Sequence, residues 1–154
     1  MPDSVEACAS ELITFVKGMK RLALAPVAPG ERTLERPALL CMFALAEHSE
    51  IRPSALAENL FIDLSTASRQ LAALEAEGLV ARERDPDDRR AFLVHMTDEG
   101  KRVLHANMAA RRALLGELLT DWSEDDRRDF ARLLGQLNVN LQKHHTIGAC
   151  KESP

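Results

Sequence analysis

Residues 85–90 read Asp-Pro-Asp-Asp-Arg-Arg, two guanidiniums crowded against three carboxylates. Arginine suits the narrow minor groove of DNA, where the potential is most negative. Carboxylates grip guanidiniums through paired hydrogen bonds, so Asp85, Asp87 and Asp88 are expected to orient Arg89 and Arg90. Arg84 adds a third cation just upstream. A second polar set is Ser65, Thr66, Ser68, Arg69 and Gln70. Its hydroxyls can donate to phosphates or bases, while Arg matches guanine and Gln matches adenine with two bonds each. The plain alternatives are a solvated hairpin tip and a solvated helix face.

Other chemistry finds less support. There is no Gly-rich phosphate loop, no nucleophile elbow and no His-x-x-x-His pair, and the five histidines are scattered along the chain. Neither catalysis nor a cofactor is expected. His144, His145 and Cys150 are metal-ligand types, but no spacing matches a known site, and no metal is expected. Three cysteines at irregular intervals argue against a disulfide framework and for a reducing cytoplasm. No apolar run approaches the ~18 residues of a membrane span. The first ten residues carry acids and no basic region, so no signal peptide is expected. The net charge of −4 counts against a nucleic-acid partner.

The elements that must position these residues follow from periodicity. Val5, Cys8, Leu12, Phe15, Val16, Met19 and Leu22 form one apolar stripe and predict a helix over 4–25. A second helix is expected over 33–48, with Thr33 as a cap and Pro37 in its first turn. Its run "ALLCMFALA" is apolar nearly all round, which suits a central position, with Cys41 as a small buried hydrophobe. A short third helix begins near Pro53. The fourth is capped by Asp63, buries Leu64, Ala67, Leu71 and Leu74, and ends at a left-handed Gly78. The period then changes. "LVARER" and "AFLVHM" predict two strands joined by "DPDDRR". Thr97 caps a long helix to about residue 120, and Ser123 opens the last, whose stripe is Phe130, Leu133, Leu134, Leu137 and Leu141. The tail from His144 lacks periodicity and is expected to be loose.

Two helices, a short turn between them and a hairpin beyond make a winged helix-turn-helix, a mainly α fold with a two-stranded β wing. In that motif the second helix enters the major groove. The segment "DLSTASRQLAALEAEGLVARERDPDDRRAFLVHMTDEG", residues 63–100, resembles the MarR family of transcriptional regulators. The family's wing pattern is Asp-Pro-x-Asp-Arg-Arg, a strand, then Leu-Thr-x-x-Gly. Here Met96-Thr97-Asp98-Glu99-Gly100 closes it, with Met in place of Leu. Helix order and length fit over nearly the whole chain.

The resemblance implies a homodimer that binds double-stranded DNA at a pseudo-palindromic site, usually as a repressor. It implies a dimerisation helix and linker over 1–34, a DNA-binding lobe over 35–100, dimerisation helices over 101–145 and a flexible tail over 146–154. Ser65, Thr66, Ser68, Arg69 and Gln70 would face the major groove. Arg84, Asp88, Arg89 and Arg90 would form the wing contact. A small aromatic or phenolic effector is implied between the two regions, with Phe15, Met19, Met42, Phe43, Leu104, His105 and Met108 as candidate lining or, on the plain alternative, core packing. Some relatives sense hydroperoxides through a first-helix cysteine that Tyr hydroxyls activate. Cys8 and Cys150 are the redox candidates here, but the chain has no Tyr. A winged helix used only for protein contacts would not need the Arg pair.

Overall fold

The computed structural model describes residues 3–22 and 27–149, with the side chains of residues 19–22 and 144–149 outside the description. The described elements are α1 (Ser4–Leu22), α2 (Arg36–Ala46), α3 (Pro53–Leu60), α4 (Leu64–Ala76), β1 (Val80–Arg84), β2 (Phe92–Met96), α5 (Asp98–Leu118) and α6 (Glu124–Ala149). The chain forms two compact units, residues 1–114 and 115–154.

The core of the first unit gathers around α2. Cys41, Met42 and Leu45 are buried with Leu56, Leu71, Leu74, Leu79, Val94 and Val103. Burial pushes the Cys41 thiol pKa up, which disfavours its reactive thiolate. Thr33 does not cap α2. The cap position belongs to Glu35, which makes no side-chain capping bond. The reason lies in the preceding segment, which is strapped to α5. Fully buried Asn107 accepts from the Leu34 amide at 2.9 Å and donates to the Arg32 carbonyl at 2.8 Å. Arg102 donates to Glu31 at 2.7 Å and to Glu99 at 2.9 Å, which fixes the same segment from its other end.

α3 ends at Phe61, which occupies the left-handed region at φ 55° and closes the turn through its amide to Ala57 and Glu58. A side chain costs roughly 1 kcal/mol in that conformation. The Ile62 amide bonding back to the Ala57 carbonyl at 3.0 Å secures it. Leu64 departs from the expected stripe: it is exposed, while Ala67, Leu71 and Leu74 are buried. It is the first residue of α4, outside the part of the helix that reaches the core. Gly78 ends α4 region at φ 74°, and the Leu79 amide bonds back to the Leu74 carbonyl.

β1 and β2 pair antiparallel from Val80↔Met96 to Arg84↔Phe92. Ile51 adds a bridge to Val94. Thr97 caps α5, accepting from the Gly100 amide at 3.0 Å. In the second unit, Ser123 caps α6 through the Asp126 amide, and Trp122 meets Phe130 edge-on. The segment from His144, expected to be loose, is helical through Ala149, and residues 150–154 lie outside the described residues. No proline interrupts that stretch, and extending an existing helix adds one hydrogen bond for each residue fixed.

Candidate nucleic-acid interface

α4 is set at the end of the turn by Asp63, whose carboxylate accepts from the Thr66 amide at 2.8 Å. The same carboxylate takes the Ser65 hydroxyl and, at 2.7 Å, the Thr66 hydroxyl. Those protons point inward. In this geometry both hydroxyl oxygens offer lone pairs outward, which suits base amino groups better than phosphates. Arg69 is exposed and donates to Thr66 Oγ1 at 3.3 Å. Ser68 is half-buried. Gln70 turns toward α2, lining a groove with Leu34, Ala38 and Glu77. Ser65 and Arg69, four residues apart, share the outward face.

The hydroxyl bonds of Ser65 and Thr66 hold the Asp63 carboxyl well below the usual carboxylate range. Its folded-state pKa lies below the unfolded one, near ~3.9. The stabilisation is therefore present above that unfolded value and is lost as pH falls through the folded one. Urea midpoints for wild type and Asp63→Asn, followed from pH 6 to pH 2, are expected to show the larger decline in wild type. Parallel curves would remove Asp63 from the acid response.

The wing departs from expectation in what its acids do. Asp85 is 4% exposed and accepts from Arg52 Nε at 2.7 Å and from the Asp87 amide at 2.9 Å. Asp88 accepts from the Arg90 amide at 3.0 Å. The carboxylates thus shape the turn and hold a guanidinium on α3's first cap; they do not orient Arg89 and Arg90. A tight turn presents amides closer to these short side chains than it presents the long Arg heads. The Asp87 amide first, then Arg52, keeps the Asp85 carboxyl below its ordinary pKa against the cost of burial. Arg84, Arg89 and Arg90 are exposed, and none of them makes an ion pair among the described residues.

A cleft of about 720 Å³ opens at the base of the wing. Its walls come from the end of α2 and the loop after it (Leu45, His48, Glu50), from both wing strands (Glu83, His95, Met96) and from α5 (Lys101, Leu104, His105, Met108, Arg112). Three of the candidate lining residues, Leu104, His105 and Met108, are in it. Met42 is not: it is fully buried in the core, against which Phe43 also packs. Phe15 is exposed on α1. The Met19 side chain and Cys150 lie outside the described residues. Cys8 is exposed on α1.

Three of the five histidines therefore share one cleft, which their sequence positions do not suggest. Part of the cleft was legible. Lys101, His105, Met108 and Arg112 recur at four, three and four residues, which is one face of a helix. His48 and His95 carry no such signal, because they reach the cleft from other elements. Among the described residues no three His, Cys, Asp or Glu side chains gather closely enough to hold a metal ion. No described helix is long and apolar enough to cross a membrane.

A two-stranded wing beside a helix-turn-helix whose second helix shows an outward polar face defines a winged-helix DNA-binding protein. The MarR family model matches residues 34–92. The HTH-type transcriptional regulator YxaD of Bacillus subtilis (strain 168) is 37% identical over 134 residues, covering 87% of this chain and 92% of that one. The chain belongs to the MarR family of transcriptional regulators. The organic hydroperoxide resistance transcriptional regulator of the same Bacillus strain is 31% identical, over 71% of each chain. In fold, the chain is similar to the PcaV transcriptional regulator of Streptomyces coelicolor, a structure solved with that protein's natural ligand. The TM-score is 0.66 at 21% identity, over 90% of this chain and 96% of that one.

Proposed function

We propose that this DNA-binding regulator is a homodimeric repressor, released from a pseudo-palindromic operator by a small aromatic or phenolic ligand bound in the cleft at the wing base. The observation that carries this reading is the wall the cleft shares with the wing: Glu83, His95 and Met96 are wing-strand residues. A ligand lodged there touches the DNA-binding lobe itself, and so has differential contacts with which to shift its conformation. Apolar Leu104 and Met108 suit a ring, while Lys101 and Arg112 suit an acidic substituent. Dimerisation is supported by apolar side chains that α1 and α6 each leave in water: Leu12, Ile13, Phe15 and Val16 on the first, Leu133, Leu137 and Leu141 on the second. Exposed apolar stretches of this kind mark surfaces for partners.

The test is fluorescence anisotropy on a duplex from upstream of the protein's own gene, with a scrambled duplex as control and salicylate as the probe ligand. Selective binding that salicylate reverses, with a weaker response in Arg112→Ala, is the expected result. Selective binding that neither salicylate nor a panel of related phenolic acids alters, with no ligand-induced rise in melting temperature, would sink the effector reading and leave DNA binding intact.

A second reading, redox control through Cys8, is favoured by that residue's exposure on α1 and by the hydroperoxide-regulator relative. Against it, no Tyr hydroxyl is available as a partner. Cumene hydroperoxide added to the same assay separates the two: release in wild type but not in Cys8→Ser selects the redox reading.

A further inference from the structure

The wing carries exposed arginines, yet a hairpin of two short strands is marginal by itself, and its arginines act together with α4 only if its angle is fixed. Midway along the ribbon, Arg82 on β1 meets Glu75 on α4 at 2.9 Å. A second brace, from the start of α3, begins at the same level and reaches the turn. Ile51 exchanges two backbone hydrogen bonds with Val94, at 3.0 and 2.9 Å. The next residue, Arg52, is the cap position of α3, and its carbonyl accepts from the Leu56 amide at 3.0 Å. Its backbone is thus held on both sides. From that point its side chain sets Nε at 2.7 Å and Nη2 at 2.5 Å from the buried carboxylate of Asp85. Both nitrogens converge on one oxygen, Oδ2, while Oδ1 accepts the Asp87 amide, so the one carboxylate ties the guanidinium to the wing turn.

We propose that Arg52 is a positioning residue for DNA binding: through Asp85 it holds the wing turn so that Arg89 and Arg90 reach the groove in register with α4. Arg52 is 46% exposed, so its direct use as a phosphate contact is the competing role. The geometry favours positioning, because two of its three nitrogens, Nε and Nη2, already face a carboxylate. The inference rests on the wing assignment above and names a residue that the wing motif, residues 85–100, does not contain.

The experiment is a double-mutant cycle on the full-length protein, read as operator affinity by anisotropy. The variants are Arg52→Met, Arg52→Lys, Asp85→Asn and Arg89→Ala, with the double variants Arg52→Met/Arg89→Ala and Asp85→Asn/Arg89→Ala. Each is checked for folding by thermal melt and for active fraction by stoichiometric titration. Positioning predicts that Arg52→Met and Asp85→Asn each weaken binding about tenfold, with Arg52→Lys recovering only part of the loss. It also predicts that Arg89→Ala costs about tenfold in wild type but less than about twofold in either background, since a wing out of register has little left to lose.

Direct phosphate contact predicts otherwise. Asp85→Asn would then leave binding unchanged or tighter, and losses at Arg52 and Arg89 would multiply; either result overturns the proposal. If all three substitutions at Arg52 and Asp85 melt the protein below assay temperature, the pair serves folding, and the proposal also fails. An Arg89→Ala variant that binds as wild type would instead count against the wing assignment itself.

Discussion

Replacing Arg89 and Arg90 together with Ala is expected to weaken operator binding by about 3 kcal/mol, on the order of 100-fold. The size follows from how few cations α4 and the wing carry between them. The chain carries 24 acids against 20 Lys and Arg, and α4 contributes one base, Arg69. Arg84, Arg89 and Arg90 are exposed and stand outside the ion pairs of the described residues, so their charge is available to the polyanion. Binding should also lose part of its salt dependence, because fewer condensed counterions are released. Anisotropy at two or more salt concentrations checks both. A folded double variant with unchanged affinity and salt slope would remove the wing from the interface.

A stability loss of about 3 kcal/mol is expected for Gly100→Ala, at the upper end of ordinary overpacking. A Cβ at Gly100 would stand 2.0 Å from the Leu79 carbonyl oxygen and 3.2 Å from Met42 Cε. The nearest obstacle is backbone, and it cannot swing aside. The Leu79 carbonyl accepts the Thr97 amide at 3.1 Å, and the Thr97 hydroxyl donates to the Gly78 carbonyl at 2.7 Å. These two bonds staple the start of β1 to the start of α5. Relief of the clash must break them or displace Leu79, which is fully buried. For a chain of this size the melting temperature should fall by roughly 6–12 °C. Urea denaturation of both proteins measures the difference directly, and a loss below about 1 kcal/mol would show that the strand start yields more easily than its bonds imply.

Gly100 also shows how a motif becomes physics. In the sequence it is the last letter of a Thr-x-x-Gly pattern after the wing. In the structure it is where the first turn of α5 passes against the Leu79 carbonyl, just before β1. Asn107 was less legible. On the sequence it is one polar residue in a long helix, yet it is fully buried and joins the segment before α2 to α5. A buried amide without partners would cost too much to keep, but those partners lie more than seventy residues away.

The sequence by itself determined the local elements: the Asp63, Thr97 and Ser123 caps, the left-handed Gly78, the switch from helical to alternating period, and the Asp-Pro-x-Asp-Arg-Arg turn. Each depends on residues within about four positions of one another, where spacing alone dictates geometry. Tertiary structure decided which groups those elements bring together. It gave Asp85 to Arg52 instead of to Arg89 and Arg90, turned Gln70 toward α2, left Leu64 in water and gathered His48, His95 and His105 around one cleft. Such partnerships are set by the packing of elements far apart in the chain. Periodicity identifies the face an element buries; the neighbour that meets that face, and the side chain that arrives with it, are fixed only when the core closes.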